Sequence, residues 1–348
     1  QFITLPPWSL RHKTDGTIQK DLDDGIDTIG KKMTVCQLYA KQIRHRGNVR
    51  YNTKNGRKRL MKLLEEDKLG GCPIDSVKLS DAKEWAIRMK EKGISYKTIS
   101  NDKRSLKAAF YTAIQDDCIR KNPFDFQLNT VIEDDTEPKV PLTPAQEESF
   151  LSFAQNDKVY QKYYDELIIL LGTGLRISEL CGLTDTDIDF ENRIINVDHQ
   201  LLRSAETGYY KEKKKTKSGI RQIPMSEKVY EAFNRVLKRR RGAKAVTIDG
   251  YSNFLFLNRD GYPKTATNYD GMFRGLAKKY NKYHEEALPK VMTPHTLRHT
   301  FCTNMANAGM NPKALQYIMG HSNITMTLNY YAHATFDSAK AEMLRIAA

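Results

Sequence analysis

Apolar positions fall into two helical stretches separated by an acidic, proline-bearing hinge. From Met33 onward, Val35, Leu38 and Tyr39 recur at the three-and-four spacing of one helix face, and Leu60, Leu63 and Leu64 do so again before Gly70-Gly71. Ser80 reads as the N-cap of a third helix carrying Trp85, Ile87 and Met89, which stops at Gly93. Ser95 opens a longer fourth helix through Ile99, Leu106, Ala109, Phe110, Ala113 and Ile114. That helix closes before Asn122-Pro123, because proline disfavours helical backbone in the residue before it. Ahead of these helices, residues 1–32 are polar and irregular, with Pro6-Pro7 and space for one short helix near Ile18–Leu22. They read as an N-terminal linker.

Residues 126–142 gather Glu133, Asp134, Asp135 and Glu137 with Pro138 and Pro141, which predicts an interdomain linker. Thr143-Pro144 with Gln146 and Glu147 then has the form of a helix start, a cap followed by proline in the first turn. An apolar helix over Leu167–Leu171 breaks at Gly172-Thr173-Gly174, and another begins near Arg176–Glu179. Strand signals follow at Ile194–Val197, in the polar run Tyr209–Lys217 and at Gln222–Pro224, with Gly219 predicting a hairpin turn between the last two. Helices resume over Glu227–Arg239 and Tyr269–Tyr280, and the remainder is mostly helical to Ala348. The expected fold is therefore mainly α with a small antiparallel β-sheet, in a helical domain over 33–125 and an α-rich domain over 143–348.

Composition sharpens this picture. The chain has 348 residues, 40% of them hydrophobic, enough for more than one core. Its 56 Lys+Arg against 42 Asp+Glu give a formal charge of +14, which points to a polyanionic partner. Lys97, Lys103, Arg104 and Lys107 interleave with the core positions of the fourth helix. Any one of them reads as solvated surface; the group reads as part of a DNA-binding module. No apolar run approaches the roughly 20 residues that span a bilayer, and no signal peptide is visible. Cys36, Cys72, Cys118, Cys181 and Cys302 are odd in number and form no C-x-x-C pair, as expected of reduced structural thiols in a cytosol. Gln1 stands where an initiator Met would, so a further module is expected ahead of it.

Four segments hold the candidate chemistry: Thr173 to Leu180, Lys213 to Gly219, Thr293 to Thr300, and Leu315 to Ser322 continuing to Tyr330-Tyr331-Ala332-His333. Each has an ordinary reading alone. Arg176 pairs with Glu179 at i+3, the lysines tip a solvated hairpin, the histidines lie on a polar surface and the tyrosines fill a core. Taken in order, they supply what attack on a phosphodiester without metal requires. Arg176 and Arg298 have planar N–H forks for the non-bridging oxygens and for the charge that grows in the transition state. His295 and His321 can hydrogen-bond and assist proton transfer. A tyrosine can attack covalently once nearby cations or a base remove its proton, and a lysine can protonate the departing 5′ oxygen.

From Met33 onward these segments resemble the tyrosine recombinase family, and more narrowly the integrases of conjugative transposons. The most specific stretch runs from Thr293 to Phe336, with "PHTLRHTF" and "MGHSNITMTLNYYAH". The resemblance implies that Arg176 is the first family arginine, buttressed by Glu179, that His295 and Arg298 form the H-x-x-R box, and that His321 is the histidine of the following box. It implies Tyr331 as nucleophile, since Tyr331-Ala332-His333 fits the frequent Tyr-x-His; the spacing of nine residues after the box histidine found in many relatives selects Tyr330 instead. Family hairpins reading Lys-Thr-Lys-Ser imply Lys215 as the catalytic lysine, with Lys217 second and Lys213 or Lys214 behind.

The resemblance further implies a site-specific recombinase that excises and integrates a mobile element through a 3′-phosphotyrosine intermediate, with no cofactor and no metal. Its expected partners are double-stranded DNA at element ends and target, three further copies in a tetramer around a Holliday junction, and an accessory excision factor. It implies a core-binding domain and a catalytic domain closing as a C-clamp on DNA in a bacterial cytoplasm. The tail helix expected over Phe336–Ile346 either docks on a neighbour or packs on its own domain. A type IB topoisomerase would share the tyrosine chemistry, and a degenerate DNA-binding regulator would share the charge. A metalloenzyme built on His295-x-x-x-His299 is excluded by Thr296, which stands where a metalloprotease helix carries glutamate.

Overall fold

Reciprocal capping starts the first described α-helix, α1 (Val35–His45). Thr34 Oγ1 accepts from the Gln37 amide at 3.2 Å, and Gln37 Oε1 accepts from the Thr34 amide at 2.8 Å. Three more helices follow among the described residues of the first unit: α2 (Tyr51–Glu65), α3 (Leu79–Glu91) and α4 (Tyr96–Gln115). α3 begins one residue before Ser80, because the Asp81 carboxylate caps the Lys78 amide at 2.8 Å. α4 starts directly after Ser95 but ends seven residues before Asn122, where Asp117 turns into left-handed backbone at φ 52°. The apolar faces meet around Leu38, Leu60, Leu64, Trp85, Leu106 and Phe110. Phe124 closes this core, edge-on to Trp85 at 5.8 Å and tilted against Phe110 at 5.4 Å. Leu128 and Ile132, from the stretch that reads as linker, are buried in the same core.

The computed structural model describes residues 30–47, 49–137, 140–213, 219–240, 246–331 and 343–344. Its chain divides into two units, the first ending at Glu137 and the second beginning at Pro138. The second unit contains α5 (Pro144–Asn156), α6 (Tyr164–Thr173), α7 (Ile177–Gly182), α8 (Glu227–Arg240), α9 (Ala266–Tyr283), α10 (Pro294–Asn307), α11 (Pro312–Met319) and α12 (Thr325–Leu328). Thr143 and Gln146 form the expected capping box on α5. α6 buries Leu167, Ile169, Leu170 and Leu171 and packs against α8 and α10, the central position that suits a helix apolar all round.

Among the described residues, five strands form two antiparallel sheets, not one. The first has the order β1 (Ile188–Asp189), β2 (Ile194–Val197), β5 (Arg221–Pro224); the second pairs β3 (His199–Ser204) with β4 (Gly208–Lys213). β3 gave no signal in the sequence, and it takes the partner expected for β5. The reason is tertiary: Ile223 stands opposite Ile195, both buried, and only the β2–β5 pairing puts both in the core. The short helix expected near Ile18–Leu22 lies outside the described residues. So does the tail over Phe336–Ile346, apart from Met343 and Leu344, which are helical. No described helix is long and apolar enough to cross a membrane.

Candidate active site

The site is built on a chain reversal between α6 and α7. Gly174 ends α6 at φ +62°, and a Cβ there would lie 2.5 Å from Phe301 Cδ1 and 2.9 Å from Met319 Sδ, so only glycine fits the turn. The reversal leaves Arg176 at the N-cap of α7. Glu179 takes the Arg176 amide on Oε2 and the guanidinium Nη1 on Oε1, both at 2.9 Å, so one carboxylate caps the helix and orients the arginine. Arg176 Nη2 donates to the Gly320 carbonyl at 2.9 Å.

Arg298 comes from α10 and is buried. Its Nη1 donates to the Gly174 carbonyl and its Nη2 to the Met319 carbonyl, both at 2.5 Å. Burial, then repulsion from Arg176 and Arg221, push its pKa down to about 9 against the pull of Glu179, which leaves it cationic at neutral pH. His295 is exposed in the first turn of the same helix, three residues before Arg298.

His321 follows Gly320, whose left-handed backbone at φ 61° ends α11. Its ring is buried and its Nδ1 lies 3.0 Å from Thr327 Oγ1. Burial, followed by Arg298, Arg176 and Arg221, lowers its pKa from 6.5 to about 4, so the imidazole is neutral at pH 7. Burial first, and then the crowding of cations, disfavours the charged forms, and a phosphate held between them would favour those forms again.

The lowered His321 pKa also predicts how the protein responds to acid. The unfolded chain binds the proton more readily, so His321 contributes stability above pH 6.5 that is lost as pH falls from 6.5 through about 4. His321→Gln should therefore lose fewer degrees of Tm between pH 7 and pH 5 than the unaltered chain, in parallel thermal melts. Equal losses would show that protonation of His321 does not oppose folding.

The two adjacent tyrosines occupy different surroundings. Tyr330 packs its ring 4.8 Å from that of His299; burial and Cys302 raise its pKa while the Arg298 charge pulls it down. Tyr331, also raised by burial and Cys302, donates its hydroxyl to the Met310 carbonyl at 2.5 Å. Met310 lies beyond the C-terminal end of α10, and from Arg298 to that end the helix runs about 13 Å at ~1.5 Å per residue. The hydroxyl of Tyr331 is thus held at the opposite end of α10 from the arginines. Lys214 to Ser218 lie outside the described residues, and Lys215 and Lys217 with them; Lys213 ends β4 opposite His199.

One member of the cluster was not read in the sequence. Arg221, fully buried, donates from Nη2 to Glu179 Oε2 at 2.9 Å, from Nη1 to Oε1 at 3.2 Å and from Nε to the Ile318 carbonyl at 2.5 Å. Strand alternation carried back from Ile223 points Arg221 inward, and that is the signal that would have found it.

Residues 141–338 match the phage integrase family. Over 338 residues, 97% of this chain and 83% of the relative, the sequence is 68% identical to the transposase from transposon Tn916 of Enterococcus faecalis. The solved Tn1549 transposon integrase, carrying an arginine-to-lysine substitution and bound to a circular intermediate DNA, is similar with a TM-score of 0.86. It is 78% identical, over 90% of this chain and 99% of that one. The same integrase with a tyrosine-to-phenylalanine substitution, bound to transposon right end DNA, matches at TM-score 0.86 and 78% identity, over 91% and 100% of the two chains.

Proposed function

The chain belongs to the phage integrase family of tyrosine recombinases, and we infer from that membership how its own residues cut and rejoin DNA. It is an integrase of the conjugative-transposon kind, which excises and integrates a mobile element by transesterification on duplex DNA. The observation that carries the residue-level reading is the convergence of Arg176, Arg298 and His321 on the C-terminal turn of α11, with a tyrosine within reach of the Arg298 charge.

In this reading Arg176 and Arg298 hold the non-bridging oxygens of the scissile phosphate and stabilise its transition state. Neutral His321 adds a hydrogen bond, and His295 assists proton transfer. A tyrosine oxygen attacks phosphorus, the bond to the 5′ oxygen breaks, and Lys215 protonates that oxygen as it leaves. The product is a 3′-phosphotyrosine and a free 5′ hydroxyl; attack by a second 5′ hydroxyl reverses the chemistry and releases the tyrosine.

The nucleophile is Tyr330 in place of Tyr331. Four observations support the change. Arg298 acts on Tyr330, Tyr330 lies against His299, Tyr331 is tied to the Met310 carbonyl, and Tyr330 stands nine residues after His321. The relatives add a fifth. In the Tn1549 integrase structures, the substituted arginine and tyrosine are as many positions apart as Arg176 and Tyr330, one fewer than Arg176 and Tyr331.

The helical unit that begins at residue 33 serves as the core-binding domain and residues 143–348 as the catalytic domain; the connection falls in the later part of the 126–142 stretch, because Leu128 and Ile132 pack in the core of the helical unit. Duplex DNA at the element ends and target is the substrate, in the bacterial cytoplasm. Strand exchange takes a tetramer and an accessory factor for excision.

The test is covalent trapping on a suicide duplex built from an element end, in excess EDTA. Two arginines and a lysine supply the charge neutralisation that a metal would give, so adduct should form at the same rate with and without the chelator. Loss of adduct in EDTA, restored by magnesium, would refute the mechanism.

A further inference from the structure

Strand β5 carries an arginine at a position where its alternation asks for an apolar residue. Arg221 and Ile223 face inward, while Gln222 and Pro224 face out. Burying a guanidinium is costly without full pairing, so its partners explain its presence. They are Glu179, on both carboxylate oxygens, and the Ile318 carbonyl; Gly219 O lies at 3.5 Å from Nη1.

Two features make this pairing more than a core contact. The first is that three consecutive carbonyls at the end of α11 each receive one arginine: Ile318 takes Arg221, Met319 takes Arg298 and Gly320 takes Arg176. The C-terminal end of a helix has partial negative charge, which suits three cations side by side. The second is charge balance at Glu179. With Arg176 alone, its carboxylate would cancel the charge meant for phosphate. Shared between two guanidinium groups, it leaves the trio with a net single positive charge, and only Arg176 retains an exposed edge.

We propose that Arg221 is a positioning residue of the active site: it takes up the Glu179 carboxylate from the protein interior, and so leaves Arg176 both fixed in plane and net cationic toward the scissile phosphate. The proposal rests on the active-site reading given above. Arg221 touches neither phosphate nor nucleophile; it acts through Glu179 and Arg176, and it also ties strand β5 to the turn that carries His321.

The test is single-turnover cleavage by the full chain of a suicide duplex with either a phosphodiester or a neutral methylphosphonate at the scissile position. Arg221→Gln keeps a donor for Glu179 but loses the charge; it should slow phosphodiester cleavage about tenfold to a hundredfold, the range for residues that orient a catalytic group. On the methylphosphonate its loss should be several-fold smaller, because no substrate charge then needs the net cation. Arg221→Lys, which restores the charge, should recover most of the rate. A wild-type rate in Arg221→Gln, or an equal loss on both substrates, overturns the proposal. Should Arg221→Gln fail to fold in thermal melts, Arg221→Lys carries the test: with the charge kept, its small loss should be the same on both substrates, and a loss confined to the phosphodiester overturns the proposal. Arg176→Lys run alongside separates the two failures. If Arg176→Lys also cleaves normally, the active-site reading falls; if only the Arg221 variants do, that reading stands and Arg221 is purely structural.

Discussion

Tyr330→Phe should bind element-end DNA as tightly as the unaltered chain and form no covalent adduct. The substitution removes one neutral hydroxyl and none of the cationic groups that bind phosphate, so affinity should be unchanged. Removing a nucleophile typically costs at least about 10⁴-fold in rate, far beyond what neighbouring groups replace. Tyr331→Phe is the control. It loses the hydrogen bond to the Met310 carbonyl, worth about 1 kcal/mol, and should form adduct within a few-fold of the normal rate. The measurement is a denaturing gel of a labelled suicide duplex, with a mobility-shift assay of the same samples. Adduct from Tyr330→Phe and none from Tyr331→Phe would return the nucleophile to Tyr331. It would also mean that the Tyr331 hydroxyl leaves Met310 when DNA binds.

Arg176→Lys should keep DNA binding and lose about 10²- to 10³-fold in the rate of adduct formation, the magnitude for removing one preorganised donor to a developing oxyanion. The charge is conserved and the geometry is not. Arg176 simultaneously holds Glu179 Oε1 through Nη1 and the Gly320 carbonyl through Nη2, in one plane that leaves an edge for phosphate. An ammonium is a point donor on a flexible stem; attracted to buried Glu179, it would be withdrawn from the phosphate. Rapid-quench single-turnover assays separate this from a binding defect, because saturating DNA should not restore the rate. Cleavage near the unaltered rate would remove Arg176 from the chemistry.

Sequence alone determined the parts of this protein that depend on near neighbours. Thr143 with Gln146 specifies a helix start within four residues, and Gly174 marks a reversal that no other residue can make. The apolar periodicities around Leu106 and Leu170 specify helices because burial on one face, or on all faces, repeats at the helical period. The order of the arginine, histidine and tyrosine boxes identified the family for the same reason: each box is a local turn or cap with its chemistry attached.

What the sequence left open depends on contacts between distant segments. The spacing of Tyr209–Lys217 and Gln222–Pro224 predicts a hairpin, but β5 pairs with β2 because Ile223 must reach Ile195. That same register turns Arg221 inward to Glu179, 42 positions earlier in the chain, a pairing with no local signature. Tyr330 and Tyr331 are chemically identical in sequence. Side chains one residue apart point in different directions, and only the packing of the segment after α12 against α10 decides that one hydroxyl lies under the influence of Arg298 and the other at Met310. The arginines are aligned by three backbone carbonyls, and a carbonyl is present at every residue; its usefulness comes entirely from where the fold brings the end of α11.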